Sequence, residues 1–155
     1  MKRFKWILLI VCLTLTNVTM TNAQSQYFEN ADHVAINGYD VVNYFTQNSA
    51  ERGSKTFAAT LAGTTFYFVS AENQQAFKAD PKKYLPQYGG YCAFAMGMKN
   101  AKAAADPETF KLYNGQLYLF FNDYYEGTPF NTIVPWNSDE ANFKAKADAN
   151  WKGMN

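Results

Sequence analysis

The sequence predicts an α+β fold: a small single domain in which antiparallel β-hairpins pack with two or more helices. Two aromatic-rich segments each surround a turn signal, Ala62-Gly63 in one and Asn114-Gly115 in the other, which indicates two hairpins. Near the C-terminus, Phe143, Ala147 and Trp151 recur at four-residue spacing, as residues on one face of a helix do. Successive hairpins with separate helices are typical of α+β folds rather than α/β folds.

The N-terminus is predicted to be a secretory signal peptide that covers residues 1–23. Three basic side chains precede an apolar stretch of about ten residues, and Ala23 provides the small residue before a cleavage site. This stretch is shorter than the roughly 20 residues of a membrane-spanning helix. We therefore expect an exported protein, periplasmic or extracellular, with no membrane span after cleavage and one domain at residues 24–155.

Loss of the signal peptide changes the charge and the cysteine content. The whole chain has 14 basic and 13 acidic side chains, and the signal peptide contains three of the basic ones. The remaining 11 against 13 give a net charge of −2, so nucleic acid is not an expected partner. Cys92 is then the only cysteine, and no internal disulfide is possible. The domain must be stabilised by its core, for which 13 Phe, 11 Tyr and 3 Trp provide aromatic surface.

The first part of the domain is predicted to be extended and then to form a hairpin. Residues 33–36 have the pattern of a short strand, Asn37-Gly38 is a turn signal, and residues 39–45 favour extended structure. The first hairpin is expected at about residues 56–69. Ser70 is the expected N-cap of a helix that ends before Pro81. Phe77 and Tyr84 are expected to face this hairpin.

The second part begins with an unusual apolar segment. Gly89-Gly90 predicts a tight turn that carries Cys92 into the centre of the domain, but residues 91–98 favour neither helix nor strand clearly. Residues 99–105 are expected to be a loop or one helical turn. The second hairpin is expected at residues 110–121, and Ser138 or Asp139 is expected to cap the final helix. No internal repeat is evident.

Groups of motif residues follow one another along the whole domain. They are Asn37-Gly38-Tyr39-Asp40-Val41-Val42-x-Tyr44-Phe45, then Gly63-x-x-Phe66-Tyr67-Phe68-x-Ser70-x-Glu72-Asn73-x-x-x-Phe77, then Pro81-x-x-Tyr84-x-Pro86-Gln87-Tyr88-Gly89-Gly90-Tyr91-Cys92-Ala93, continued by Asp106-Pro107, Gly115-x-Leu117-Tyr118-Leu119, Trp136 and Asn150-Trp151. In this order they resemble the exported branch of the YHS domain proteins. The resemblance implies a small α+β domain in a family often associated with metal handling.

The chain departs from the metal-linked members of that family at their cysteines. Those members have Cys-Gly-Met near the start and cysteines that flank the entry to the first helix. Here the first position reads Asn37-Gly38-Tyr39-Asp40, and Val69 and Asn73 stand at the helix entry. Because thiolates are the ligands that select soft metals, a metal role inherited from those cysteines is not expected.

Sulfur and imidazole side chains form the first group of candidate site residues. Cys92, Met96 and Met98 are soft ligands suited to a metal such as copper, as Cu(I), and His33 could add an imidazole. The alternatives are a buried structural Cys92, methionines that fill the core, and a plain surface histidine. Cys92 could also be a substrate thiolate or a redox thiol.

A polar group forms the second set of candidates. Tyr39, Asp40, Glu72, Asn73 and Tyr88 could line a ligand pocket in which Asp40 or Glu72 acts as an acid or base. The alternative is helix capping and a buried hydrogen-bond network. Tyr91 belongs with this set, because the hydroxyls of Tyr88 and Tyr91 are expected to find partners such as Asp40 or Asn73.

Three functions remain open on the sequence. No catalytic triad, HExxH sequence, phosphate loop or dinucleotide fingerprint is present, so an enzymatic function has no support from a motif. The favoured function is a non-catalytic binding module for a metal ion or small ligand. The alternatives are a structural or accessory protein that acts through an envelope protein partner, and a thiol-dependent enzyme that uses Cys92.

Overall fold

The computed structural model describes residues 25–154, so the predicted signal peptide and its cleavage site lie outside the described residues. Over this range the chain is a single α+β domain with three antiparallel two-stranded sheets and six α-helices, which confirms the predicted fold class. Within residues 25–154, no helix combines the length and hydrophobicity that a membrane crossing requires.

The elements alternate between short helices and hairpins. In chain order they are α1 (Asn43–Gln47), β1 (Ser54–Leu61), β2 (Thr64–Phe68), α2 (Ala71–Ala79), α3 (Pro81–Tyr84), α4 (Ala93–Lys99), β3 (Asp106–Tyr113), β4 (Gln116–Phe120), β5 (Asn122–Tyr125), β6 (Thr128–Asn131), α5 (Ile133–Ser138) and α6 (Glu140–Met154). Short 3₁₀ segments, Ile36–Gly38 and Gln87–Gly90, precede α1 and α4. Both predicted hairpins and the helices after Ser70 and Ser138 are confirmed, whereas α1, α3, α4, β5, β6 and α5 are not predicted.

Helix α2 begins and packs as the sequence predicts. The Asn73 backbone N–H donates to Ser70 Oγ at 3.2 Å, which caps the first turn. The ring of Phe77 lies 4.9 Å from that of Phe66 and 5.1 Å from that of Phe68, so it packs against the first hairpin. Tyr84 instead packs edge-on against Phe45 of α1, at 5.6 Å.

The predictions of a short strand at residues 33–36 and of extended structure at residues 39–45 are wrong. Val34 and Ala35 make only isolated bridges, and the chain enters helix α1 at Asn43. The cause is the Asp40 carboxylate, whose Oδ1 accepts the backbone N–H groups of Val42 at 2.8 Å and Asn43 at 3.2 Å. These local hydrogen bonds start a helix and outweigh the strand preference of the β-branched and aromatic residues that come after Asp40.

The expectation that the chain lacks an internal repeat is also wrong. β1 and β3 have equal lengths, as do β2 and β4, and their turns at Gly63 and Gly115 lie 52 positions apart. The two hairpins share one register: Ser54 pairs with Phe68 as Asp106 pairs with Phe120, and the same shift of register follows in each.

The same spacing relates the segments before the two hairpins. Left-handed backbone occurs at three consecutive residues ending at Gly38, at three ending at Gly90, and again after α1 and α4, at Asn48 and Asn100. Asp40 and Cys92 are counterparts, and both are fully buried. Each accepts a backbone hydrogen bond from the residue just after its hairpin, at 2.8 Å from Val69 and 3.3 Å from Phe121. We call residues 34–69 the first repeat and residues 86–121 the second repeat.

Different elements come after the two repeats. The first leads directly into α2, which places Phe77 on the hairpin. The second leads into the β5–β6 hairpin and only then into α5, whose Trp136 packs on Tyr118 at 5.9 Å and Phe120 at 5.4 Å. Because these two rings are the counterparts of Phe66 and Phe68, α5 corresponds to α2, and the β5–β6 hairpin is an insertion in the second half.

Helix α6 closes the second half of the domain. Ala147 is fully buried, and Phe143 and Trp151 pack against the same core cluster, which confirms the predicted apolar stripe. Gly97 of α4 faces the backbone of Phe143 so closely that a β-carbon there would lie 2.6 Å from the Phe143 carbonyl oxygen. The close approach of α4 and α6 fixes the position of α4, which forms one side of the candidate site.

Candidate functional site

An apolar cavity of about 260 Å³ lies beside helix α4 in the second half of the domain. Cys92 and α4 form one side of the cavity, and the loop at residues 101–104 and the inserted β5–β6 hairpin complete it. Phe94, Phe121, Tyr125 and Phe130 provide aromatic surface, whereas the loop contributes mainly alanines. The lining is therefore predominantly carbon, with polar groups at a few positions.

The aromatic wall of the cavity is held by contacts between its own rings. Phe94 and Phe130 meet edge-to-face with centroids 6.3 Å apart, and Tyr125 lies 6.2 Å from Phe130. On the other side, the small side chains of Ala95 and Ala103 leave space. Aromatic pairs in these arrangements attract one another, so the wall is organised before any ligand enters.

Cys92 lies at the buried end of the cavity. Its thiol is free and its side chain is 0 % exposed, as the predicted tight turn into the core requires. The turn depends on Gly90, whose φ is +88° and where a β-carbon would collide with the Ile36 side chain. Cys92 Sγ accepts the Phe121 N–H and lies 3.4 Å from Thr132 Oγ1. Since the Thr132 hydroxyl donates to the Phe121 carbonyl at 2.9 Å, its oxygen is left to accept from the Cys92 thiol.

The opposite end of the cavity carries a positive charge. Lys99 is exposed, and its Nζ lies 3.4 Å from the Tyr125 hydroxyl and 5.0 Å from the centre of the Tyr125 ring. The ion pairs among residues 25–154 join Glu29 to His33, Lys111 to Glu140 and Lys144 to Asp148, and Lys99 takes part in none of them. Its charge faces the cavity mouth without a carboxylate partner in the described chain.

The four candidate metal ligands do not come together. Cys92 and Met98 both line the cavity, and Met98 is 60 % exposed at its edge. Met96 is fully buried in the core cluster around Trp136. His33 lies on the surface, where its Nδ1 is 2.8 Å from Glu29 Oε1. In the part of the chain that the structure describes, no three His, Cys, Asp or Glu side chains are grouped to hold a metal.

The polar candidates of the first half divide into one contacting pair, Asp40 and Asn73, and two residues with other partners, Tyr39 and Glu72. Asp40 and Asn73 meet, with Asn73 Nδ2 donating to Asp40 Oδ2 at 2.7 Å. The Tyr39 hydroxyl donates to Glu108 at 2.7 Å, and this hydrogen bond raises the pKa of Tyr39. Glu72 is exposed in the first turn of α2, where its own backbone N–H and the Ser70 hydroxyl lower the pKa of its carboxyl group.

The prediction that Tyr88 and Tyr91 bond to Asp40 or Asn73 is wrong. The Tyr88 hydroxyl donates to Asp148 of α6 at 2.8 Å, and burial raises the pKa of Tyr88. The Tyr91 hydroxyl donates to backbone carbonyls at the start of the described chain, at 2.9 and 3.1 Å. The reason is the repeat: both tyrosines precede Cys92, the counterpart of Asp40, and so they lie in the other half of the domain.

Sequence reasoning named Cys92 and Met98 but missed the rest of the cavity. The sequence predicts only a loop or one helical turn at residues 99–105, and it predicts no helix or strand for the segment that contains Tyr125 and Phe130. The available signal in the sequence was Gly127 between two aromatic residues, Tyr125 and Phe130, because glycine is favoured in two-residue hairpin turns. In the structure Glu126 and Gly127 form the tip of the β5–β6 hairpin, and both have positive φ.

Comparison of the chain with protein-family models, with characterised proteins and with solved structures gives no match. The function therefore has to be inferred from the geometry of the cavity.

Proposed function

We propose that this chain is an exported binding module for a small, largely apolar ligand that occupies the cavity beside α4. The observation that carries the proposal is the cavity of about 260 Å³ with its aromatic wall and, on the other side, an alanine floor formed by Ala95, Ala101, Ala103 and Ala104. An apolar cavity of roughly 150 Å³ holds a benzene molecule, so this one has room for an aromatic ring with a short side chain. Apolar walls with a few placed polar groups are typical of small-molecule sites.

The lining favours binding over acid–base catalysis. Among the described residues that line the cavity, the ionisable side chains are Cys92, Lys99 and Tyr125, with no carboxylate or imidazole. The contacts of Cys92 Sγ, the Phe121 N–H and the Thr132 hydroxyl, do not include a group that would remove its proton at neutral pH. A binding role requires only contact with these side chains and no proton transfer.

We also propose membership of the exported branch of the YHS domain family. The order of the motif residues along the domain supports it, as does the signal-like N-terminus for export. Several motif residues, Asp40, Tyr88, Gly90 and Cys92, are buried at the turns that begin the two repeats. The motif thus consists largely of residues that shape the backbone around α1 and α4, and it constrains the ligand only through Cys92.

Cu(I) is the second candidate ligand, because a thiol and a thioether line the same cavity. Cys92 and Met98 supply soft donors of the kind that Cu(I) prefers. Titration with Cu(I) under reducing conditions against a competing chelator tests it. One-to-one binding that Cys92→Ala abolishes supports this candidate, and no competition with the chelator rejects it.

The test of the principal proposal is titration of the mature chain with toluene, followed by NMR of alanine and methionine methyl groups. Saturable shifts are expected for Ala95, Ala103 and Met98. Ala103→Leu adds volume inside the cavity and should abolish them, whereas Ala141→Leu, on an exposed position of α6, should leave them unchanged. The proposal fails if the wild type shows no saturable shifts or if Ala103→Leu binds toluene normally.

A further inference from the structure

The two repeats differ in side chain where the cavity lies. At Asn43, Ser49 and Glu51 of the first repeat, the second repeat has Ala95, Ala101 and Ala103. Asn43 Nδ2 donates to the Ser49 carbonyl at 3.0 Å and lies 3.5 Å from Glu51 Oε2. In the first repeat this region therefore contains the buried Asn43, held by the Ser49 backbone, with the Glu51 carboxylate at its exposed edge, whereas the second repeat has methyl groups at all three positions.

The segment that covers each repeat makes corresponding contacts with different side chains. In the first repeat Asn73 reaches the buried Asp40, and Phe77, four residues later, packs on the hairpin. In the second, Thr132 reaches the buried Cys92, and Trp136, four residues later, packs on its hairpin. Residues between β4 and Thr132 form the inserted hairpin, which stands beside α4 as a wall. The cavity thus results from the insertion and from the smaller side chains.

One lining position changes in the opposite sense. Lys99 stands where the first repeat has Gln47, so a charge is gained at the cavity mouth while polar groups are lost inside. The Lys99 ammonium and the Tyr125 hydroxyl lie 3.4 Å apart and can both donate to one oxygen-rich group. A ligand carboxylate at the mouth would pair with the Lys99 ammonium, which forms no ion pair with a carboxylate among the described residues.

We propose that the cavity between the second repeat and the inserted β5–β6 hairpin binds a small carboxylic acid with an apolar body. The ring or branched chain lies between the alanine floor and the aromatic wall of Phe94 and Phe130, and the carboxylate lies against Lys99 and Tyr125. This inference rests on the proposed function and adds the charge and orientation of the ligand. The first repeat serves as the comparison within the same chain, because it has the buried Asn43 at the position of Ala95 and lacks the inserted hairpin.

The test compares phenylacetate with phenylacetamide, a neutral probe of nearly the same shape, by calorimetry on the mature chain at pH 7 and low salt. Phenylacetate should bind roughly five- to tenfold more tightly, since one partly exposed charge-assisted contact is at stake. The preference should shrink as salt is added. Lys99→Gln should weaken phenylacetate and so remove the preference, whereas Lys82→Gln, at an exposed lysine of α3, should leave the affinities for both probes unchanged.

The outcomes separate the two proposals. Equal affinity for the two probes, or tighter binding of the amide, overturns the carboxylate inference while the cavity remains a binding site. A preference that Lys99→Gln leaves intact overturns it as well, as does a failure of both probes to bind while toluene binds. If neither probe binds and toluene does not bind either, the proposed function fails and this inference fails with it. A wild-type preference that salt does not reduce also overturns the inference, without any variant.

Discussion

Replacement of Asp40 by asparagine is expected to destabilise the domain strongly. The carboxylate is fully buried and accepts four hydrogen bonds, two on each oxygen. The donors are the backbone N–H groups of Val42, Asn43 and Val69 and the side-chain amide of Asn73, at 2.8, 3.2, 2.8 and 2.7 Å. An asparagine side chain offers one oxygen and one NH₂ group, so two donors lose their acceptor and face hydrogens instead.

The expected loss is set by those two hydrogen bonds. A hydrogen bond to a charged group contributes about 1.5–3 kcal/mol, so two of them amount to about 3–6 kcal/mol. The neutral amide avoids the desolvation of a buried charge, which offsets part of the loss and places the expectation near 3 kcal/mol. Since domains are stable by only about 5–15 kcal/mol, Asp40→Asn should shift the unfolding midpoint clearly.

Urea denaturation followed by tryptophan fluorescence at pH 7 measures this loss. Asp32→Asn is the matched control, because Asp32 is exposed and its replacement should change the free energy of unfolding by less than about 0.5 kcal/mol. An Asp40→Asn variant within about 1 kcal/mol of the wild type would refute the structural role.

Three further predictions concern a turn, the thiol and an ion pair. Left-handed backbone strain alone costs a residue with a side chain about 1–2 kcal/mol. Gly90→Ala should lower the free energy of unfolding by more than this, because its β-carbon would also meet a buried side chain. Gly63→Ala, at a positive φ but in open space, should show the strain alone, and equal losses of the two variants in urea denaturation would contradict this. Cys92 should resist iodoacetamide until the chain unfolds, and Cys92→Ala should lose about 1–2 kcal/mol of stability; rapid alkylation of the native protein would count against a buried thiol. Burial tends to raise the pKa of Glu29, but hydrogen bonds with the His33 ring and a threonine hydroxyl outweigh it and the pKa is lowered. A carboxyl group whose pKa is lowered by folding stabilises the protein above the ordinary glutamate range, and this stability is lost as the pH falls through the folded-state pKa. Glu29→Gln should therefore lower the free energy of unfolding at pH 7 and not in acid. A difference in stability between the variant and the wild type that does not depend on pH would exclude this linkage.

Elements specified by local signals were predicted well from the sequence. Ser70 caps α2, the turn at Asn114-Gly115 closes the second hairpin, and the stripe that includes Ala147 faces the core. Helix α1 was missed because the group that specifies it, Asp40, also binds Val69 and Asn73, and such contacts between distant residues are not visible in a local pattern. Propensity yields to tertiary hydrogen bonding at such positions.

The repeat was missed because its two halves share few identical residues. The clearest identities are Gly38 with Gly90 and Gly63 with Gly115, where the backbone has positive φ and glycine is favoured. At most buried positions any apolar residue of suitable size serves, so the common backbone leaves little trace in the sequence.

The candidate site was only partly predictable for the same reason. Burial of Cys92 was predictable from the glycines before it. The cavity could not be foreseen, because it depends on the absence of side-chain volume at Ala95 and Ala103 and on an insertion that contributes Phe130. Both features become meaningful only when the second repeat is compared with the first.

The presence of two similar units raises the question of whether each half can fold alone, and the contacts between them answer it. Tyr44 of the first repeat lies with its ring 4.8 Å from Phe110 and donates its hydroxyl to the Pro107 carbonyl at 2.8 Å. In the other direction, the Phe28 N–H donates to the Gly89 carbonyl at 2.8 Å, and Tyr91 binds the same N-terminal segment. Each half supplies part of the other's interior, so the domain should melt in a single cooperative transition, and a chain cut between α3 and α4 should yield no folded fragment. A ligand held by the second repeat would then protect the first from unfolding to the same extent.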